Sequence, residues 1–302
     1  MPQRPRYGAL PPLVSGVLAS VDRSRLATGI YSSGIAQFDL DLRQLDLAAR
    51  AFALRGFFEW RIAAVAALLV DPGDIVFEGG AHLGTESFYY CALVGPGGKV
   101  VSFEADASLA ERLQAEAERQ GTDQLVVKSA ALGPQAGTSL FDLAPPNSNS
   151  GLGALSPEST QTRGRVEVEV ATLDDTMAAY GSPKLLVMDI QGGELGALRG
   201  ADRLLADARP AMIMEVESGS LRRLGGSADE LLRLLRSADY RCWRFTRLGL
   251  RAVDRPKEEE LDDWLALPRE RADRDSRKIR RALALGAMLP PGSRFSPLAR
   301  LS

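Results

Sequence analysis

The segment Asp74-Ile75-Val76-Phe77-Glu78-Gly79-Gly80-Ala81-His82-Leu83-Gly84 joins a short apolar run, which ends in a carboxylate, to a glycine-rich turn. A helix-like stretch follows, and then a second apolar run with acidic residues at its end, Lys99-Val100-Val101-Ser102-Phe103-Glu104-Ala105-Asp106. Strand, turn, helix and strand in this order form a βαβ unit, which binds ligands at the carboxyl ends of its strands. The sequence therefore predicts an α/β protein with a ligand-binding site at that edge of a parallel sheet.

The turn and the two strand ends carry groups that suit a nucleoside. Gly80 and Gly84 allow a tight turn and a close approach of the backbone to a ligand. The helix that follows the turn offers free N–H groups to an anion. Glu104 lies 26 residues after Glu78, where an acidic residue accepts hydrogen bonds from a ribose diol in nucleotide-binding folds. The plain alternative is that the glycines only form the turn and that Glu104 is a solvated strand end.

The spacing of the glycines separates two classes of nucleotide-binding protein. A dinucleotide fingerprint requires Gly-x-Gly-x-x-Gly, whereas the glycines here fall as Glu78-x-Gly80-x-x-x-Gly84. The pyrophosphate-binding turn is therefore not reproduced, and the pattern is that of S-adenosylmethionine-dependent methyltransferases. In that interpretation Glu78 lies near the methionine ammonium group and Glu104 binds the ribose. A nicotinamide-dependent oxidoreductase that uses the same Glu104 is the alternative against which the spacing argues.

The composition is that of an ordinary globular protein. The 302 residues include 37 basic and 39 acidic side chains, so a net charge of −2 favours neither nucleic acid nor an acidic membrane. The two cysteines, Cys91 and Cys242, form neither a disulfide framework nor a zinc pattern, and no metal site is predicted. Arg4 and Arg6 precede no long apolar core, and no run reaches the roughly 18 apolar residues that span a bilayer. We expect a cytoplasmic protein with no nucleic-acid or membrane partner.

Three regions are predicted along the chain. Residues 1–70 form a helical extension that packs on the core, with amphipathic helices over 38–54 and 56–70. Residues 71–255 form the Rossmann-like domain, which opens after the turn Asp71-Pro72-Gly73-Asp74. Residues 256–302 form a charged extension for which the pattern favours a helix. The sequence leaves open whether residues 1–55 and 269–302 cover the pocket or build a homo-oligomer.

Two parts of the middle region bear on the site. The nearly continuous apolar run over 184–190 ends at Asp189 and predicts a central parallel strand that is buried on both faces. Ser129 follows a short strand at 125–128, where such folds place groups around an adenine ring, although a plain turn residue is an equal alternative. The polar loop 145–151 is a candidate lid, or else a disordered insertion.

In their order along the chain, these segments resemble the FkbM-type S-adenosylmethionine-dependent O-methyltransferases. The likeness covers roughly residues 56–247, and its most telling segment is Met188-Asp189-Ile190-Gln191-Gly192-Gly193-Glu194. Each segment alone is a weak signal, whereas the ordered set is specific. The other matching segments are 72–84, 101–106, 131–133 with Gly137, 172–175, and 198–201 through 209–210 to 214–216.

The resemblance implies a class I methyltransferase fold, with a mostly parallel twisted sheet and helices on both faces. It also implies methyl transfer to a hydroxyl of a sugar, a polyketide or a related metabolite. A hydroxyl acceptor must lose a proton, so Asp189 is the candidate base, and Glu194 could orient Asp189 or the acceptor. Alternatively, Asp189 is a helix N-cap or a ligand of the methionine ammonium group. The predicted cofactor-binding residues are Glu78, Gly80, Ala81, His82, Gly84, Glu104, Ala105, Asp106, Ser129, Ala131 and Asp189.

The chain departs from the usual pattern of this family at three positions. Glu78 replaces the usual Asp and keeps its charge on a longer arm. His82, the only histidine in the chain, replaces the usual Asn and is interpreted as part of the cofactor loop and not as a catalytic base. Gln191 replaces the usual Glu and removes a carboxylate near the presumed active face. A third hypothesis is therefore a cofactor-binding protein without turnover.

Overall fold

The computed structural model describes residues 28–32, 37–41, 49, 59–144, 150–155, 164–246, 249–256 and 261–288. The strands in chain order are β1 Thr28–Ser32, β2 Gln37–Asp41, β3 Ile75–Gly79, β4 Lys99–Phe103, β5 Leu125–Lys128, β6 Ala131–Leu132, β7 Gly137–Asp142, β8 Ala154–Leu155, β9 Arg165–Ala171, β10 Leu185–Met188, β11 Ala211–Glu217, β12 Tyr240–Thr246, β13 Gly249–Ala252 and β14 Leu261–Pro268. The α-helices are α1 Trp60–Leu69, α2 Ser87–Val94, α3 Ala107–Gln120, α4 Leu173–Tyr180, α5 Glu194–Arg199, α6 Ser218–Arg223, α7 Ala228–Ser237 and α8 Arg269–Met288, with a π-helical turn at Leu204–Ala208.

Eight strands form the central sheet, in the order β13-β12-β14-β11-β10-β3-β4-β5. The five strands from β11 to β5 run parallel to one another, whereas β14 is antiparallel to both of its neighbours. The first strand of the parallel set in the chain, β3, lies between β4 and β10, so the strand order reverses there. Such a reversal opens a crevice at the carboxyl ends of the strands. The predicted Rossmann-like fold is confirmed.

Both faces of this sheet are covered, which explains the apolar run of β10. All four of its residues are buried, and they alternate between two hydrophobic clusters on opposite faces. Leu185 joins the cluster that includes Val65 of α1 and Tyr90 of α2, whereas Leu186 joins the cluster that includes Leu204 and Leu231. A strand that is packed on both faces has no reason to alternate with polar residues. The predicted central buried strand is confirmed.

The charged extension for which the pattern favoured a helix contains one, α8. Its buried residues Ala272, Ile279 and Leu283 recur at helical spacing and pack into the same cluster as α1. Lys278 Nζ donates a hydrogen bond of 2.8 Å to the carbonyl of Leu68, the penultimate residue of α1. The helix therefore docks on the core of its own chain. No helix in the described part of the chain has the length and apolar character that crossing a bilayer requires.

One of the two helices predicted for the N-terminal extension differs from the structure. The predicted helix at 38–54 is wrong at its start, where β2 pairs with β1 from Phe38 opposite Tyr31 onward. The sequence Gln37-Phe38-Asp39-Leu40-Asp41 alternates polar and apolar residues, and that period of two belongs to a strand. The helix predicted over 56–70 is present as α1. Apart from residue 49, the remainder of the 38–54 prediction lies outside the described residues.

The predicted domain boundary at residue 255 does not match the sheet. Strand β14, which falls in the region that was expected to be helical, lies between β11 and β12 and pairs with both. Its last five residues, from Trp264 to Pro268, are all buried. A continuous apolar segment of this length suits a strand that is covered on both faces. The central sheet is therefore completed by residues beyond the predicted boundary.

A second, four-stranded sheet in the order β6-β9-β7-β8 lies beside the ligand edge. Strand β9 alternates Val and Glu, and it buries Val168 and Val170 and exposes Glu167 and Glu169. It therefore has one buried and one solvated face. Most of the candidate lid, residues 145–149, lies outside the described residues, whereas 150–155 form a short 3₁₀ turn and β8.

Candidate active site

A cavity of about 480 Å³ lies at the carboxyl edge of the parallel strands, beside β3 and β10, where the strand order reverses. The ends of β3, β4 and β10 and the segment 151–155 contribute to its wall, as do residues of β11 and β14. Of the residues predicted as cofactor-binding, the cavity lining includes Glu78, Gly80, Ala81, His82, Glu104, Ala105, Asp106, Ala131 and Asp189.

Gly80 brings the cofactor loop against the end of β10. Its φ is +82°, and a Cβ atom added there would lie 2.0 Å from the carbonyl oxygen of Asp189. The N–H groups of Gly80 and Ala81 both donate to the carbonyl of Phe103, at 2.9 and 3.0 Å. No residue with a side chain fits at position 80 without moving the backbone, so the glycine of the motif joins three strand ends.

His82 and Gly84 shape the same loop in different ways. His82 has φ +52°, a left-handed conformation in which Asn and His are enriched among residues with side chains. This geometry gives a physical reason for the exchange of Asn for His at this position. Gly84 is absent from the cavity lining, and a Cβ atom there would lie 2.1 Å from Leu113 Cδ1. Gly84 therefore lets the turn pack against α3, a different role from the predicted ligand contact.

Glu104 is held by the backbone of two loops. Its Oε2 accepts a hydrogen bond of 2.7 Å from the N–H of His82, and its Oε1 accepts one of 2.9 Å from the N–H of Asp106. Burial raises the pKa of Glu104, and the two N–H donors oppose that rise. The side chain is only 7% exposed, so Glu104 is not a solvated strand end. A carboxylate offers about four acceptor positions, and the remaining ones suit the two hydroxyls of a diol.

Glu78 lies deeper in the cavity wall. Its Oε2 accepts hydrogen bonds from Ser87 Oγ at 2.5 Å and from Ser102 Oγ at 2.6 Å. Burial raises the pKa of Glu78 to about 7, against the opposing effect of the two serine hydroxyls. A cation beside such a carboxyl group lowers its pKa and so favours the ionised form. The position therefore suits the ammonium group of an amino-acid ligand.

Asp189 and Glu215 are neighbours at the ends of β10 and β11, one residue beyond the pair Met188 and Met214. The side-chain amide of Gln191 joins them: its Nε2 donates to Asp189 Oδ1 and to Glu215 Oε2, both at 2.9 Å. Burial raises the pKa of Glu215 well above its ordinary value, and the adjacent Asp189 raises it further. A proton shared by the two carboxyl groups would relieve their mutual repulsion.

Three further carboxylates face this pair, and the sequence reasoning did not identify them. Asp263 is paired with Glu215 across β11 and β14, and Glu59 and Glu86 lie at the N-caps of α1 and α2. Burial raises the pKa of Asp263 to about 7 and that of Glu86 to about 8, and it raises the pKa of Glu59 strongly. Among the described lining residues Arg61 is the one Lys or Arg side chain. The continuous apolar run that follows Asp263, from Trp264 to Leu267, is a sequence signal for a buried strand beside these carboxylates.

Glu194 and Ser129 do not line the cavity. Glu194 is 0% exposed, and its Oε1 accepts hydrogen bonds from the N–H groups of Ile190 at 3.1 Å and Gly192 at 3.3 Å. Burial raises its pKa to about 8. Glu194 therefore braces the turn that carries Gln191. Ser129 is exposed, and its neighbour Ala130 lines the cavity instead.

Comparisons with known proteins place this geometry in a family. The sequence model described as "Methyltransferase FkbM domain" matches residues 78–242, more than half of the chain. No curated protein matches. The chain is similar in structure to a methyltransferase FkbM from Methylobacillus flagellatus, with 16% identity, a TM-score of 0.42, and 73% of this chain and 66% of that chain covered.

Two other solved structures are similar in the same range. An S-adenosylmethionine-dependent O-methyltransferase from Thermotoga maritima shows 14% identity and a TM-score of 0.39, with 70% of this chain and 65% of that chain covered. A structure described as a putative rRNA methylase from Clostridium thermocellum shows 10% identity and a TM-score of 0.42, with 69% and 94% covered. The chain thus spans about two thirds of the first of these two. On the match to the family model, the chain belongs to the FkbM family of S-adenosylmethionine-dependent methyltransferases.

Proposed function

We propose that the chain is an O-methyltransferase that acts on a hydroxyl of a small molecule, such as a sugar, a polyketide or another secondary metabolite. The observation that carries the proposal is the position of Asp189, whose carboxylate lines the same cavity as Glu78 and Glu104. A hydroxyl is a poor nucleophile until its proton leaves, so an adjacent carboxylate supplies what O-methylation needs.

The part of the cavity that Glu78 and Glu104 line is called the cofactor half, and the part that Asp189 and Glu215 line is the acceptor half. The residues of the cofactor half fit S-adenosylmethionine, which supplies an activated methyl group on a sulfonium when it is bound. Glu104 would accept hydrogen bonds from the ribose hydroxyls, and Glu78 would face the ammonium group. Ala105, Asp106 and Ala131 line the neighbouring wall, where their small or capping side chains leave room for a base. Asp106 is already engaged as the N-cap of α3 and accepts from the N–H of Ser108 at 3.0 Å.

The residues of the acceptor half would hold the hydroxyl and receive its proton. Asp189 is joined to Glu215 through Gln191, and two ionised carboxylates side by side take up one proton more readily than an isolated carboxylate does. Leu152 and Leu261, two of the exposed large hydrophobic residues, also line the cavity. Much of the rate can then come from positioning the oxygen in line with the methyl group.

The charges of the cavity favour a small neutral or cationic acceptor over nucleic acid. The lining includes Glu59, Glu86 and Asp263 in addition to the Asp189–Glu215 pair, and the chain as a whole has a net charge of −2. A phosphate backbone requires basic contacts. An acidic lining would repel such a ligand, and also a phosphorylated or uronic-acid sugar.

The test is incubation of the chain with S-adenosylmethionine and a panel of neutral, amino-bearing and acidic hydroxylated acceptors. We expect S-adenosylhomocysteine to be released with a neutral or amino-bearing acceptor, whose product gains one CH₂ in mass and carries the methyl group on oxygen by NMR. Methyl transfer to nitrogen would overturn the O-methyl assignment. Cofactor binding with no product across the panel would favour a protein without turnover, and NADH binding in a fluorescence titration would favour the oxidoreductase alternative.

A further inference from the structure

Gln191 occupies a strained and well-connected position in the turn after β10. Its backbone φ is +52°, and its carbonyl accepts a hydrogen bond of 3.4 Å from Arg223 Nη2. Glu194 also stabilises the turn, because its Oε1 accepts hydrogen bonds from the N–H groups of Ile190 and Gly192. These contacts aim one side-chain nitrogen at two carboxylates on adjacent strands. A non-glycine residue is held in a left-handed conformation only where the surroundings determine it.

We propose that Gln191 is a positioning residue that clamps Asp189 and Glu215 into one carboxylate pair, which faces the acceptor and shares between its two members the proton that it takes up. The inference rests on the proposed function, since it assigns the pair to the proton transfer of the methylation reaction. Gln191 acts through the pair and makes no contact with the reacting atoms in this assignment. The geometry that supports it is the pair of 2.9 Å hydrogen bonds from the single Nε2 atom.

The amide suits this role because it can only donate at its nitrogen. Each carboxylate receives one N–H, which favours its charged form, while the closeness of the two carboxylates disfavours a second negative charge. The pair therefore titrates as a unit, in two steps that belong to neither residue alone. Burial and the adjacent Asp189 raise the pKa of Glu215 well above its ordinary value, so the ionised pair is a better-matched base for a hydroxyl than an isolated carboxylate.

The pair titrates in the field of groups from every element around it. Loss of the last proton is disfavoured by the other carboxylates and favoured by the nearby guanidinium groups. The pKa of Glu215 is raised by Asp263 and Glu59, besides Asp189. The carboxylates that interact with the pair are Glu59 and Glu86 at the N-caps of α1 and α2, Glu194 of α5 and Asp263 of β14. Of the guanidinium groups, Arg61 of α1 interacts with Asp263 and Glu59, and Arg223 of α6 donates to the Gln191 carbonyl.

The experiment is a carbon-13 NMR titration of the Asp189 and Glu215 carboxyl groups in the full chain, alone and with S-adenosylhomocysteine. Gln191→Glu removes both donors and adds a third charge, so we expect the upper step to rise by about one pH unit or more. Gln191→Met removes the donors without adding a charge, so we expect a smaller rise. The matched control is Gln114→Glu, because Gln114 Nε2 also donates to a carboxylate, Glu118 Oε1 at 2.8 Å, on an exposed helix face.

Three results would overturn the clamp. The first is an upper step of the Asp189–Glu215 pair that moves in neither Gln191 variant. The second is an equal shift of that same step in Gln114→Glu. The third is independent titration of Asp189 and Glu215 in the wild type. Circular dichroism identifies a variant that fails to fold, and in that case the other Gln191 variant carries the test. The titration needs no acceptor, so a failed acceptor screen would remove the O-methyl assignment without deciding whether the clamp exists.

Discussion

The two halves of the cavity treat their carboxylates in opposite ways. In the cofactor half, Glu78 and Glu104 each accept two hydrogen bonds from hydroxyl or backbone donors of the chain. In the acceptor half, Asp189 and Glu215 share one amide, and burial together with Asp189 raises the pKa of Glu215. The first arrangement fixes a shape for one constant ligand. The second keeps a proton exchangeable, as a reaction that removes a proton requires.

The largest effect is expected from a substitution that breaks the contact between the two halves of the cavity. Gly80→Ala places a Cβ atom 2.0 Å from the Asp189 carbonyl, so the cofactor loop and the end of β10 must separate. We expect loss of S-adenosylhomocysteine binding by calorimetry and a melting temperature lower by several degrees, because a backbone clash at a left-handed position costs several kcal/mol.

Gly121→Ala provides the matched control. Gly121 also has a left-handed φ, +63°, but an added Cβ atom there meets nothing within 4 Å. We expect this variant to lose a little stability and to keep its affinity for S-adenosylhomocysteine. Equal loss of binding in the two variants would show that a general loss of stability, and not the junction with β10, lowers the affinity for S-adenosylhomocysteine.

The next largest effect is expected from a substitution in the acceptor half that lowers kcat and leaves the affinity for the cofactor unchanged. Asp189→Asn keeps the shape of the side chain and removes its ability to take a proton, so we expect kcat to fall by about 10² to 10⁴-fold. The dissociation constant of S-adenosylhomocysteine should change little, since the cofactor half keeps its own donors. Isothermal calorimetry and initial rates with an acceptor from the screen measure the two quantities. An unchanged kcat would remove Asp189 from the role of base, and a lost affinity would make it a cofactor ligand.

A smaller effect is expected from the cofactor half. Glu104→Ala removes the acceptor of the proposed ribose hydrogen bonds and leaves the N–H groups of His82 and Asp106 without their partner. Hydrogen bonds to a charged group contribute about 1.5–3 kcal/mol, so S-adenosylhomocysteine should bind about 10- to 100-fold more weakly. Glu111→Ala, at an exposed position of α3, is the control for loss of a carboxylate. An unchanged dissociation constant in Glu104→Ala would refute the ribose assignment.

The cofactor half was more predictable from the sequence than the acceptor half, because its signals are local. Gly80 and the acidic ends of β3 and β4 lie within one βαβ unit, where spacing alone places them together. Asp263 reaches the site because β14 inserts between β11 and β12, a pairing that no local pattern encodes. Glu59 and Glu86 precede α1 and α2, and their convergence depends on how those helices pack. The alternating residues around Phe38 did carry a strand signal, which the helical interpretation overlooked.

The smallest expected effect tests whether Glu78 meets a cation. Burial raises the pKa of Glu78 to about 7, so the free protein holds a proton there at lower pH. An ammonium group beside it lowers that pKa, so binding of S-adenosylhomocysteine must release the proton. Affinity should therefore rise with pH, by up to tenfold per unit, in the window that ends near pH 7, and should level off above it.

Calorimetry in buffers with different ionisation enthalpies measures the released proton directly. We expect a release approaching one proton at pH 6 in the wild type and a smaller release in Glu78→Gln, which keeps the shape and cannot titrate. Equal proton release in the two proteins would place the ammonium group elsewhere, and Asp189 would be the next residue to examine. In that case the two halves of the cavity would not have separate roles, since Asp189 would bind the cofactor and also act on the acceptor.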